Sequence, residues 1–363
     1  MASPGLLDLG RIKSQLWGKS PEQVLRITVI ASMRNEGPFI VEWVTWYRML
    51  GFTDVVVVTN NCTDHSPELL DALQAAGWVH HLRCDVKPGR RITHRKLAAA
   101  YEHKAVRRAD WALVCDADEF LVIHKGEGRI TDLIGKTPEE APFVAMAFNW
   151  RVFGSCGVAR FNDAPVHQQF ALAGKLRTPT GAMIKVIHRQ PRWFKALREH
   201  GPRGWNLQRY GRSPDDPGMH MVNAAGKPVP YWTPEAKRYI RGLSMAYRTY
   251  EGAQMNHYIL RSTESFSLKQ GTLAPVALTN RYTDAYRAAA NRGRTPDSSA
   301  FRYAESFAAL QARAMALPDV ARLHAQCCAD HLRLIAEKAG RRVEEDDRWH
   351  GFMAQVRAAG GAA

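Results

Sequence analysis

No apolar run in the sequence approaches the roughly 20 residues of a membrane-spanning helix. The stretch Met1 to Gln23 lacks the order of charge, apolar core and small-residue cleavage site that marks a signal peptide. These absences predict a cytoplasmic chain that touches a membrane at most peripherally, at its inner face. Cysteine is scarce: six in 363 residues, at positions 62, 84, 115, 156, 327 and 328. Scattered thiols exclude a disulfide framework and suit reduced, packing side chains. Neither Gly-x-Gly-x-x-Gly nor a complete phosphate-loop motif follows the first predicted strand, which argues against a dinucleotide enzyme or a standard NTPase. Acids are outnumbered, 35 Asp and Glu against 50 Lys and Arg, a net charge of +15. A basic surface favours anionic partners. The charge is spread along the chain with no clustered basic–aromatic motif, so nucleic acid is not an expected partner.

What is present is alternation. Arg26 to Ala31 reads as a β-branched strand, and Pro38 suits the first turn of the helix that follows, with Asn35 or Glu36 as its cap. Asp54–Thr59 is a second strand, Pro67 to Ala76 a helix, Val79 to Leu82 a strand, Lys96 to Arg108 a helix and Trp111 to Cys115 a strand. This order predicts a mostly parallel sheet flanked by helices, an α/β fold. Loops after successive parallel strands gather on one edge. Arg34, Asn35 and Glu36 follow strand one, Asn60, Asn61 and Asp64 follow strand two, and Asp116 and Asp118 follow strand four.

That fourth strand ends in Asp116-Ala-Asp-Glu119. Two carboxylates two residues apart on a continuing strand would project to one side. Carboxylates suit Mg²⁺ or Mn²⁺, and a cation so held can grip a diphosphate.

The runs Met33-Arg-Asn-Glu-Gly-Pro-Phe-Ile-Val-Glu-Trp43, Gly51-Phe-Thr-Asp-Val-Val-Val-Val58, Asn61-Cys-Thr-Asp-His-Ser66 and Asp116-Ala-Asp-Glu-Phe120 resemble family 2 glycosyltransferases, more narrowly the bacterial group related to family 92. Asn149-Trp-Arg-Val-Phe-Gly-Ser155 and Asn256-His-Tyr-Ile-Leu-Arg-Ser262 extend the resemblance over roughly residues 26–270. It implies a GT-A (Rossmann-like) fold, a nucleotide-sugar donor, a divalent metal, Mn²⁺ or Mg²⁺, and an inverting transfer. Arg34, Asn35 and Glu36 would lie against the nucleotide, with Asn60 and Asp64 near the base or ribose and Lys96 in the same site. Asp116 would also touch the nucleotide-sugar. Asp116, Asp118 and His257 would hold the metal. Family members often carry Asp-Asn-x-Ser where this chain has Thr59-Asn-Asn-Cys62; the first acid of that motif is missing, so the resemblance gives UDP only as the default and leaves the base open.

The expected organisation is an N-terminal extension (1–25), a GT-A domain (26–275) with a nucleotide-binding half (26–125) and an acceptor half (126–275), and a helical C-terminal region (276–363). Phe143 to Asn149 and Met183 to Ile187 read as strands, with Lys185 on the side opposite Ile184 and Val186, either a phosphate contact or, more often at such a position, simply exposed. Trp150, Phe153 and Ser155 are candidates for the sugar or acceptor pocket, or else core. Residues 201–234, rich in Gly and Pro, read as loop, either a lid or a surface excursion. Ser262 or Thr263 caps a helix, and Arg261 and Lys269 are candidate phosphate contacts. His324, Cys327, Cys328 and His331 share one helix face, which cannot wrap an ion tetrahedrally, so packing is the expectation.

A direct displacement needs a carboxylate base. Glu264, Asp163 and Glu119 are the candidates. The acceptor would be a glycan or glycolipid hydroxyl, as in lipopolysaccharide or other surface-polysaccharide synthesis. Two other classes stay open at this level: a sugar-phosphate nucleotidyltransferase, and a non-catalytic nucleic-acid- or glycan-binding protein.

Overall fold

A computed structural model describes residues 25–85, 92–137, 139–235, 240–272 and 279–360. Residues 1–24 of the expected N-terminal extension lie outside the described residues.

The first half alternates as the hydrophobic pattern dictates. Strands β1 (Ile27–Met33), β2 (Asp54–Thr59), β3 (His80–Arg83) and β4 (Trp111–Val114) are separated by α1 (Gly37–Met49), α2 (Ser66–Ala75), α3 (Ile92–Glu102) and α4 (Lys104–Arg107). β1 pairs in parallel with both β2 and β4, and β2 with β3. Val55 to Val58 are all buried, as a parallel strand covered on both faces requires. α1 begins with Pro38 in its first turn, but neither Asn35 nor Glu36 caps it with a side chain. The turn after Arg34 instead uses Asn35 at φ 53°, its side chain bridging to Thr63.

The second half completes the sheet. β5 (Glu119–Ile123), single-turn α5 (Thr131–Ile134) and α6 (Val166–Gln169), β6 (Ala145–Val152), the short β7 (Leu172–Ala173), β8 (Ile184–Arg189), β9 (Phe194–Arg198), β10 (Gly201–Trp205), β11 (Met221–Asn223) and β12 (Ala253–His257) follow β4. The main sheet runs β3-β2-β1-β4-β8-β6-β12-β5, with β11 parallel to β6. β8 is antiparallel to β4 and β6, and β12 is parallel to β6 but antiparallel to β5.

Two expectations fail here. Residues 201–234 are not one loop: β9 and β10 form an antiparallel hairpin, and Trp205 stacks on Phe194 in a second hydrophobic cluster. Apolar side chains with somewhere to pack outweighed the Gly and Pro content. Lys185 is not exposed: its side chain is fully buried.

The C-terminal part is helical: α7 (Thr263–Ser267), capped by Ser262, then α8 (Asp284–Ala290), α9 (Ala304–Met315), α10 (Val320–Lys338) and α11 (Asp347–Gly360). A two-residue strand, β13 (Thr295–Pro296), pairs with β7. α9 and α10 pack on α1, and Phe307, Val320, Leu323 and Cys327 belong to the same core as Val29, Trp43 and Trp46. All six cysteines are free. Gly37 shows how close this packing is: a Cβ there would lie 2.5 Å from Cβ of Cys327. Among the described residues no helix is long and apolar enough to cross a membrane.

Candidate active site

The acidic turn is held from below by α1. Trp43, Trp46 and Tyr47 share one face of that helix, at i, i+3 and i+4. Trp43 donates its indole N–H to the Asp116 carbonyl (3.0 Å), Trp46 to Leu121 (2.9 Å), and the Tyr47 hydroxyl donates to the Glu119 carbonyl (3.0 Å). A carbonyl left unpaired in this core would be costly, so the three donors fix the backbone on which the carboxylates ride.

Asp116 and Asp118 do not continue a strand. The chain turns between β4 and β5, and the two carboxylates meet different lysines. Register Leu113↔Ile187 brings Lys185 level with the start of that turn. Its ammonium lies 3.0 Å from Asp116 Oδ2 and 2.9 Å from Glu119 Oε2, while the Asp116 N–H donates to the same Glu119 oxygen at 2.8 Å. Burial lowers the Lys185 pKa, but the carboxylates of Asp116 and Glu119 outweigh it and hold the ammonium above its usual range. Burial pushes Glu119 up to about 7 against the pull of Lys185.

Asp118 sits 2.7 Å from Lys269 Nζ and 3.4 Å from His257 Nε2. Burial opposes its charge, yet Lys269 and His257 bring its pKa well below the carboxylate norm. His257 comes from the end of β12, paired with Glu119 across the ladder, and Trp150 packs on it with ring centroids 4.2 Å apart. Arg261 holds an unusual backbone, φ 51°. Such strain in a non-glycine residue persists only where the surroundings over-determine it. Here Arg261 donates to Glu36 (2.8 Å) and the Ala117 carbonyl (3.0 Å), and lies 3.4 Å over the Phe39 ring. It thereby ties the loop after β1 to the acidic turn and to the segment after β12.

These groups open into one cleft of about 1630 Å³. Of the sequence-predicted residues, Arg34, Asn35, Glu36, Asp116, Asp118, Trp150 and His257 line it. Others do not. Asn60 is buried after β2, and Asp64 accepts from the Gly37 and Ser66 N–H groups, shaping the loop. Lys96 is buried with its ammonium on the Met33 carbonyl, and burial lowers its pKa to about 8. Phe153 packs in the core against Tyr258, and Ser155 bonds Asn291. The three proposed bases are elsewhere or engaged. Glu119 is buried on Lys185; Glu264 accepts from the Phe161 N–H and pairs with Arg348; Asp163 accepts from His324 Nε2 at 3.0 Å. Asp163, His324 and Cys328 are the one set of three or more His, Cys, Asp or Glu ligand atoms mutually within 4.8 Å among the described residues, and none of the three lines the cleft.

Sequence reasoning missed Lys185, read as exposed, and gave no weight to Glu199 and His200 at the tip of the β9–β10 hairpin, which line the cleft. A lysine between apolar neighbours on an antiparallel strand was the available signal for the first. The hairpin carried none.

The model of glycosyltransferase family 92 matches residues 29–213. That span runs from within β1 through the acidic turn to the β9–β10 hairpin, so the site belongs to a glycosyltransferase. The chain belongs to glycosyltransferase family 92. A search among curated proteins finds no match. Among solved structures, it is similar to S. aureus TarS 1-349, at 13% identity over 92% of this chain and 89% of that one, TM-score 0.30. It is also similar to glucosyl-3-phosphoglycerate synthase from Mycobacterium tuberculosis, solved with Mn²⁺, UDP-glucose and phosphoglyceric acid, at 16% identity over 53% of this chain and 64% of that one, TM-score 0.28.

Proposed function

We propose that this family 92 member moves a sugar from a nucleotide-diphosphate donor, with UDP as the default, to a glycan or glycolipid hydroxyl, with inversion and with a divalent cation. The observation that carries this reading is Asp118 on the floor of the cleft, facing His257, Lys269 and Arg261.

Two of the three expected donors, Asp118 and His257, are spaced for a hard cation. Asp118 Oδ1 and His257 Nε2 are 3.4 Å apart, the spacing of adjacent ligands on one ion with bonds of about 2.1 Å. Lys269 occupies the other Asp118 oxygen, Oδ2, leaving Oδ1 for the ion, whereas Asp116, held on Lys185, is not within mutual ligand reach of Asp118 and His257. When bound, Mn²⁺ or Mg²⁺ would neutralise charge on the leaving diphosphate. The chain's own residues supply the rest. Lys269 and Arg261, the cations beside Asp118, would meet the diphosphate oxygens, and Arg34 and Asn35 would bound the nucleotide end. Trp150 offers a ring face to the sugar.

The base is reassigned. Asp116, Asp118 and Glu36 are paired with Lys185, Lys269 and Arg261, and Glu337 with Arg333. Glu199 keeps a buried oxygen, Oε1, with no hydrogen bond, 3.3 Å from His94 Nε2. A carboxylate so placed accepts the acceptor's hydroxyl proton as the C–O bond to the sugar forms and the diphosphate departs.

The test is donor hydrolysis. The protein is incubated with UDP-, GDP- and CMP-sugars, with Mn²⁺ or with EDTA, beside Asp118→Ala. Metal-dependent release of one nucleoside diphosphate, lost in the variant, is the expected result. No release, joined with no metal-dependent thermal shift by any nucleotide sugar, sinks the proposal. Pyrophosphate as the product would move the chain to the nucleotidyltransferases.

A further inference from the structure

The cations of the cleft divide into spent and unspent. Around the acidic turn they are spent: Lys185 on Asp116 and Glu119, Lys269 on Asp118, Arg261 on Glu36. At the β9–β10 hairpin they are not. Arg198, Arg203 and Arg241 line the same cleft, and none of them pairs with a carboxylate among the described residues. Arg198 donates only to the Leu197 carbonyl, and its Nε is buried without a partner. Arg203 and Arg241 are exposed. The 241 segment is fixed to the hairpin side, since the Ile184 N–H donates to the Arg241 carbonyl and His200 bonds the Ile184 carbonyl. Glu199, the proposed base, lies between Arg198 and His200.

A guanidinium presents a rigid fork that matches phosphate or carboxylate oxygens two at a time. A neutral acceptor filling this end would strip water from three such groups and return nothing. We infer that the acceptor is anionic and carries a phosphate or carboxylate group near its reactive hydroxyl, gripped by Arg198, Arg203 and Arg241. This rests on the transferase reading above and adds the substrate class to it.

The full chain is first loaded with UDP and Mn²⁺, so that the donor's own diphosphate groove is filled. Glucose 6-phosphate, glucuronate and glucose are then titrated onto that complex by calorimetry. The expected result is binding of glucose 6-phosphate, glucuronate or both, and none of glucose at the same concentration. The arm that binds distinguishes phosphate from carboxylate. R203Q/R241Q, two exposed positions that leave the fold alone, should weaken that binding by roughly tenfold or more. R313Q/R357Q removes the same charge from distant helices and should not. Three outcomes overturn the inference: glucose binding as tightly as the anions, equal weakening in both double variants, or no anion bound to a complex that has taken up UDP. If UDP and Mn²⁺ themselves fail to bind, the transferase reading has failed and this inference falls with it.

Discussion

Lys185→Met tests the electrostatic floor of the site. The substitution keeps length and apolar character and removes one charge. Glu119, fully buried, then has no cation, and Asp116 loses its 3.0 Å partner. Breaking a buried pair by deleting one member costs about 3–5 kcal/mol, because the remaining charge is uncompensated. At about 2.1 cal/mol/K per residue, 363 residues have an unfolding entropy near 0.76 kcal/mol/K, so the midpoint should fall by about 4–7 °C. The assay is thermal unfolding without metal, at pH 7.5. The double variant Lys185→Met/Glu119→Leu removes the stranded carboxylate and should recover most of the loss. A drop below about 1.5 °C in the single variant, or no recovery in the double, refutes the reasoning.

Glu199→Gln should cut the rate of transfer by about 10²–10³ while the donor KM and the melting temperature hold, as general-base removal does; an unchanged rate moves the base elsewhere. Gly37→Ala should destabilise the fold by about 1–3 kcal/mol, read from urea unfolding, because the new methyl meets Cys327 at 2.5 Å. Gly37→Ala combined with Cys327→Ala should be no better, since the clash includes the Cys327 Cβ that alanine keeps. Buried His188 and His331 are pushed down by burial to about 4 and about 3, from 6.5. Unfolded chains take up protons on them below pH 6.5 and the folded chain does not, so their contribution is fully present above 6.5 and lost as pH falls. Between pH 6.5 and 5 each should cost about 2 kcal/mol, and His331→Leu should flatten the slope of melting temperature against pH.

The sequence by itself determined the alternating first half. β-branched runs such as Val55 to Val58 have only one way to be buried on both faces, and the helices between them need no distant partner to be recognised. The acids after β4 and the loop after β1 were legible for the same reason: parallel strands bring their ends to one edge whatever lies between. Tertiary structure alone decided which of these charges are spent. Lys185 and Asp116 are 69 residues apart, and only an antiparallel register sets one beneath the other. Glu264 and Asp163 read as available carboxylates, but Arg348 and His324, from helices far along the chain, engage them. Glu199 had no motif around it. A hairpin tip acquires a role only when the sheet beneath it points that tip into the cleft.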